Sequence, residues 1–387
     1  MPTFRLHQHS QPDSVGWQSL FISLMRGLAA LQVAAAHLRA ETFPSLRGLA
    51  DPPLAYQALA FFTGLAHQAV VLFFLISGWL VGGSLLDKRR APLALRLYAI
   101  DRVSRLWMVL LPTFLLTLGF GLAMGVLDPH ALDVGVGNDY SLLTFIGNLV
   151  GLQTITMLPF GGNYALWSLA NESWYYLLFP LLLLAATAGD TARRLPAVIA
   201  LAVAACALPP VLLLYFLLWL MAAFCSRLRI DAGPGWRASL LAVFAAVSVY
   251  FRLRGSNDDL GIESFVQDLV YSGVFLALLA SLHSPVRGGA QALRRGANTL
   301  ASFSFTLYVL HLPLIGVLRY TGVRVLGRST LSPTAPLDYL LYAGMLLFIL
   351  GAAYLSYRVF EANTPALRRL LKALLLQPRV RPVTTDR

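Results

Sequence analysis

A succession of long apolar runs dominates this sequence and decides its fold class. Ten stretches read as membrane crossings: about 19–40, 57–86, 106–127, 165–187, 195–209, 211–226, 237–252, 263–283, 299–319 and 336–359. A crossing helix needs roughly 20 mostly apolar residues. Lipid offers no partner for backbone N–H and C=O groups, so runs of this kind predict helices, which bond internally. Only 12% of the residues are charged and 57% are hydrophobic. Soluble domains run at about 25% charged, so the surplus apolar surface must face a lipid bilayer. Disorder needs low hydrophobicity and is excluded. A disulfide-stapled module is excluded too, because the two cysteines, Cys206 and Cys225, both lie in apolar runs. The chain is predicted to be an all-α, polytopic membrane helix bundle.

The formal net charge is +12. In a soluble protein that surplus would suggest nucleic acid; here its distribution reads as topology, and no nucleic-acid partner is expected. Residues 142–158 are a weaker apolar stretch, either an eleventh crossing or a re-entrant segment. If they do not cross and the N-terminus is cytoplasmic, 22 bases fall inside and 7 outside, with Arg26 within a span. Cytoplasmic loops carry the Lys/Arg excess, which favours about ten crossings, both termini cytoplasmic and a re-entrant 142–158. The outer loop 128–141 agrees, with Asp128, Asp133 and Asp139 and no base. The expected organisation is a polar tail over 1–18, a membrane domain over 19–360 and a basic amphipathic, then disordered, tail over 361–387. No cleavable signal peptide, internal repeat or second soluble domain is expected.

Ionisable side chains inside spans are costly and usually functional. Four stand out: Arg26, His37, Glu172 and His311. Arg26 and His37 are 11 residues apart on the first helix, which puts them on one face about 16 Å apart. The bland alternatives are a snorkelling arginine and a hydrogen-bonded interhelical histidine; their sharing one face favours function. Glu172 lies in the run Trp167-Ser168-Leu169-Ala170-Asn171-Glu172 at the start of the fourth crossing. That position predicts the outer half of the membrane, at His37's depth, where it could orient a histidine base. A structural acid paired with an arginine is the alternative. Ser304, Tyr308 and His311 form one polar stripe, compatible with a site or with a satisfied core histidine. Arg102 and Arg105 share a face at the inner entrance of the third crossing, an arrangement suited to phosphate. His7, His9 and His130 are assigned no role. No phosphate-loop motif and no zinc motif is present, and no metal is expected.

Taken in order, these segments resemble the acyltransferase 3 family of bacterial membrane proteins. The first helix matches its Arg-x10-His signature as Arg26 to His37. Phe73-Phe74-Leu75-Ile76-Ser77-Gly78-Trp79 resembles its second-helix block, and Asp101-Arg102-Val103-Ser104-Arg105 its paired-arginine entry to the third helix. Trp167-Ser168-Leu169-x-x-Glu172, Ser304-x-x-x-Tyr308-x-x-His311 and Tyr357-Arg358-Val359-Phe360-Glu361 follow. The chain departs from the pattern at two prolines: Pro112 comes seven residues after Arg105, and Pro365 four after Glu361.

The resemblance implies a multi-pass protein of the bacterial inner (plasma) membrane. It implies acyl transfer, most often of acetyl, from a coenzyme A thioester at the cytoplasmic side to a hydroxyl of a surface polysaccharide, lipid-linked glycan or similar acceptor. Acyl-CoA would be a co-substrate. The family's roles carry over to Arg26, Arg102 and Arg105 as coenzyme A contacts and to His37 and Glu172 as catalytic residues. Trp167, Ser168, Asn171, Ser304, Tyr308 and His311 are candidates for contacting substrate or the developing oxyanion. The competing reading is a proton-coupled transporter or flippase using the same buried Arg, His and Glu.

Overall fold

The computed structural model describes residues 2–7, 9–10, 16–125, 139–256, 260–284 and 291–376. His130, Asp128, Asp133 and the tail from Gln377 onward lie outside the described residues. A short strand β1 (Thr3–Leu6) precedes α1 (Trp17–Thr42), α2 (Leu54–Phe62) and α3 (Ala66–Ser77). A π-helical turn, Gly78–Gly82, joins α3 to α4 (Gly83–Lys88). Then come α5 (Ala94–Met124), α6 (Leu142–Leu149), α7 (Leu166–Thr187), α8 (Thr191–Ala207), α9 (Pro210–Cys225) and strand β2 (Leu228–Asp231). The chain continues through α10 (Pro234–Arg254), α11 (Ile262–Ser281), α12 (Gln291–Ser302), α13 (Ser304–Leu326), α14 (Pro336–Val359) and α15 (Thr364–Leu376).

Among the described residues, eight helical segments are long and apolar enough to cross a membrane. The other two expected crossings form α8 and α9, of 17 and 16 residues. The chain is therefore a polytopic helical membrane bundle. Helix α10 carries Trp236, Leu241, Val249 and Leu253 exposed, the apolar face that lipid would cover.

Helix α1 runs through the centre and packs on α3, α12 and α13. Its small residues let neighbouring backbones come close: a Cβ on Gly27 would lie 2.6 Å from Leu300 Cγ. Gly78 plays the same part where α3 meets α9, since a Cβ there would lie 2.2 Å from the Trp219 carbonyl oxygen.

Residues 142–158 do not cross as a helix. Helix α6 has eight residues, about 12 Å of rise. It runs down the side of α5, with Phe145 against Phe114, until Trp107 Nε1, near the middle of α5, donates to the Leu149 carbonyl at 3.1 Å. The chain then turns back through positive-φ residues at Gly151, Thr154, Gly161 and Gly162. Asn148 ties the two limbs together, donating to the Leu158 carbonyl at 3.0 Å and accepting from the Phe160 N–H at 2.9 Å. This is a segment that enters the bundle and returns.

One end of the bundle gathers β1 and β2, paired antiparallel, with Asp87 accepting from Ser10 and Arg227. At the same end Asp101, in the second turn of α5, holds Arg368 and Lys372 of α15 at 2.9 and 3.3 Å. The first and last described elements thus share one end, as an even number of crossings requires. The small sheet was not legible beforehand, because four residues per strand carry too little alternation to signal one.

Candidate active site at the centre of the bundle

A cavity of about 480 Å³ opens at the end that carries α15. Arg26, Arg102, Arg105, Glu172, Ser168 and Tyr308 are among its walls, with Lys88 and Lys372 at its rim. Two of its arginines lie over rings: Arg102 is 5.5 Å from the Tyr176 centroid and Arg105 is 5.7 Å from that of Phe305. The Arg102 Nε is buried without a partner among the described residues. Arg26 Nη2 donates to the Ala301 carbonyl at 2.9 Å and to Ser304 Oγ at 3.2 Å. Those contacts fall on the break between α12 and α13 at Phe303, inside what the sequence presents as one run (299–319). Arg26 therefore does not snorkel to headgroups; it braces a helix break with the carbonyl left open there. Glu361 holds the other side of the break, accepting from Thr306 Oγ1 at 2.6 Å and from its N–H at 3.3 Å.

Glu172 belongs to this cavity. The Tyr176 hydroxyl donates to its carboxylate. Behind it runs a directional chain: Trp219 Nε1 donates to Ser77 Oγ at 3.2 Å, and Ser77 Oγ meets Tyr176 OH at 3.2 Å. Because the indole can only donate and the tyrosine proton goes to Glu172, the serine proton must point at Tyr176. The whole chain delivers donors to a carboxylate.

The expectation that Glu172 orients His37 is not met. The reason is the re-entrant segment, which makes α7 begin inside the bundle rather than at its outer surface. Asn163 Nδ2 donates to the Val309 carbonyl at 2.8 Å and Tyr308 OH to the Ala165 carbonyl at 3.2 Å. The start of α7 is thus pinned beside the second turn of α13. Six residues further along the helix, about 9 Å, Glu172 arrives at the level of Arg26, not His37.

The ring partner of His37 is His311. His37 Nδ1 and His311 Nε2 are 2.8 Å apart, with the rings nearly parallel. His311 is fully buried, and its Nδ1 lies 2.7 Å from the Tyr308 carbonyl and 3.3 Å from that of Leu307. A carbonyl only accepts, so His311 Nδ1 bears the proton and its Nε2 the lone pair. His37 Nδ1 must then donate, which leaves the lone pair of a neutral His37 on Nε2. Main-chain geometry, two residues removed, selects the tautomer that a base requires.

On the other side of the pair lies a second polar cluster. The edge of the His37 ring meets Tyr164, centroids 5.2 Å apart. Tyr164 OH donates to Glu41 Oε1 at 3.2 Å, and Arg319 Nη1 to Glu41 Oε2 at 2.6 Å.

The structure thus brings Arg26, Arg102, Arg105, Glu172, Ser168, Ser304 and Tyr308 into one cavity and joins His37 to His311. Ser168 and Tyr308 share a hydroxyl–hydroxyl bond of 2.5 Å at its upper wall. Trp167 and Asn171 are not part of that wall: Trp167 packs edge-on against Phe74, and Asn171 is buried within the bundle. Tyr176, Ser77, Lys88 and Lys372 were missed as site residues. The i, i+4 spacing of Glu172 and Tyr176 was a visible signal; the approach of Lys372 from the far end of the chain was not. Among the described residues, no group of three or more His, Cys, Asp or Glu side chains could hold a metal ion.

A curated relative, acyltransferase MdmB of Streptomyces mycarofaciens, is 28% identical over 346 residues, covering 78% of this chain and 79% of its own length. No solved structure matches the chain. The family model described as an acyltransferase domain (Acyl_transf_3) matches residues 19–358, which takes in every cavity residue named above except Lys372, and the chain therefore belongs to the acyltransferase 3 family of membrane acyltransferases.

Proposed function

We propose that this protein transfers an acyl group, most simply acetyl, from coenzyme A to a hydroxyl of a surface polysaccharide, lipid-linked glycan or similar acceptor. The end bearing β1, α15 and the large cavity is cytoplasmic in this reading, the membrane being the bacterial plasma membrane. The observation that carries it is the position of the His37–His311 pair between a basic cavity on one side and a smaller polar cluster on the other.

The cavity suits a coenzyme A thioester. Its volume lies in the range of small-molecule sites, ~300–1,000 Å³. Its guanidinium groups match phosphate in charge and geometry, and the unpartnered Arg102 Nε calls for an acceptor. Arg26, Arg102 and Arg105 hold the phosphates and Glu172, steadied by Tyr176, accepts from an amide N–H of the pantetheine arm. The thioester then lies toward Ser168, Tyr308 and His37.

His37 acts as general base through Nε2. The acceptor oxygen bonds to the thioester carbonyl carbon as its proton passes to His37. The tetrahedral intermediate collapses, the C–S bond breaks, and the coenzyme A thiolate takes the proton back from His37. Products are the ester and free coenzyme A. His311 accepts from His37 Nδ1 throughout and steadies the transient imidazolium, the part a third group plays in nucleophile–base–orienter arrangements. Tyr308 gives its proton to the Ala165 carbonyl, so Ser168 is the hydroxyl that turns its proton from Tyr308 to the developing oxyanion. The test is thermal stabilisation of the purified protein by acetyl-CoA but not by free adenine; a protein indifferent to acetyl-CoA would not be an acyl-CoA enzyme.

A further inference from the structure

A cavity of about 50 Å³ lies beyond the histidine pair, walled by Glu41, Asn163, Tyr164, Arg319, Tyr140 and Phe120 among others. Its walls include residues next to both members of the pair. Tyr164 meets the His37 ring, Leu312 of the wall is the next residue after His311, and Glu41 stands one helical turn beyond His37 on the same face of α1. Two buried polar atoms of the wall have no partner among the described residues. Asn163 is 2% exposed, and its Oδ1 is unpaired although its Nδ2 is bonded to Val309; the Nε of Arg319 is unpaired although its Nη1 is bonded to Glu41. A buried polar atom without a partner costs about 1–3 kcal/mol, so the site retains one acceptor and one donor that a ligand can satisfy.

We propose that this cavity is the acceptor subsite and that it takes the hydroxyl-bearing edge of a neutral sugar. A hydroxyl carries both the donor that Asn163 Oδ1 lacks and the acceptor that Arg319 Nε lacks, whereas a carboxylate only accepts and an ammonium only donates. Glu41 and Arg319 cancel each other's charge at 2.6 Å, which leaves no net charge to draw an anion or a cation. Tyr140, Tyr164 and Phe120 supply flat apolar walls for the C–H face of a ring. The volume is about two waters' share of liquid, so it admits a CH–OH edge while the rest of the acceptor stays outside.

This proposal rests on the donor reading above, and the test separates the two. Purified protein is given radiolabelled acetyl-CoA with methyl glucoside as probe. Acetyl-CoA stabilisation and acetyl methyl glucoside formation are measured for wild type, Asn163→Leu, which fills the cavity, and Arg319→Lys, which keeps the ion pair but lacks the Nε–H. The expected result is wild-type stabilisation by acetyl-CoA in all three, with transfer lost at least ~10-fold in Asn163→Leu and reduced in Arg319→Lys; one buried hydrogen bond is worth about that factor. The retained stabilisation also shows that the variants fold. Asn163→Leu transferring as fast as wild type would overturn the subsite. So would a wild type that binds acetyl-CoA and acetylates hexanol but not methyl glucoside. A wild type that does not bind acetyl-CoA would overturn the donor reading and this proposal with it.

Discussion

His37 Nδ1 and His311 Nε2 lie 2.8 Å apart, and the other nitrogen of His311 is held by the carbonyls of Tyr308 and Leu307. The protonation pattern of the first histidine is therefore written into the backbone of α13. Replacing His311 with Ala leaves His37 free to take either tautomer. Acyl transfer should fall by ~10²-fold or more, within the range that general-base catalysis supplies, with acetyl-CoA affinity unchanged. His311→Gln, whose side-chain oxygen can still accept from Nδ1–H, should recover part of the rate. A structural role alone predicts no difference between the two variants in rate per folded molecule.

Arg102 lies over the Tyr176 ring with its Nε unpartnered among the described residues. Arg102→Ala should weaken acetyl-CoA binding by ~10–100-fold, the worth of one charge-assisted bond at about 1.5–3 kcal/mol. Arg102→Lys should not restore it fully, since an ammonium has neither the planar fork nor the same fit over a ring. Isothermal titration in detergent reads both.

Tyr176→Phe keeps the ring under Arg102 but removes the O–H that Ser77 and Glu172 share. The half-buried carboxylate then loses a donor, at a cost of about 1 kcal/mol. The expected outcome is a lower unfolding temperature, with part of the loss recovered in the double variant with Glu172→Gln, which carries no charge for the lost donor to satisfy.

Asp139 braces the start of the re-entrant segment, whose helix α6 is capped by Ser141. Hydrogen bonds from the Thr144 side chain and from Ser141 hold its carboxyl below the usual carboxylate range. Its stabilising effect is thus present above about pH 3.9, the ordinary value, and is lost as pH falls through the lower folded value. Asp139→Asn should raise amide exchange over residues 141–149 about 5-fold at pH 7, for a hydrogen bond worth ~1 kcal/mol, and that difference should shrink in strong acid.

Much of the site could be read from the residues because lipid makes charge scarce. Arg26 and His37 shared a face by helical arithmetic, and the pair Arg102 and Arg105 announced a basic mouth. Glu172 was placed at the wrong depth because depth was counted from the start of an apolar run. The start of α7 is instead set by tertiary bonds at Asn163 and Ala165, which no periodicity records. His311 was visible as part of a polar stripe, but its pairing with His37 joins helices 274 positions apart in the chain. The break at Phe303 was hidden for a related reason: Arg26 and Glu361, both distant in sequence, brace its two sides.

In the proposed reaction His37 moves the proton while the arginines of the inner cavity hold the donor. This is tested most directly by His37→Ala in membranes with confirmed expression, with coenzyme A release and acetyl-CoA affinity measured on the same preparation. Acetyl-CoA affinity should be unchanged and the release rate down by ~10²–10⁴-fold. Release at the wild-type rate would contradict it.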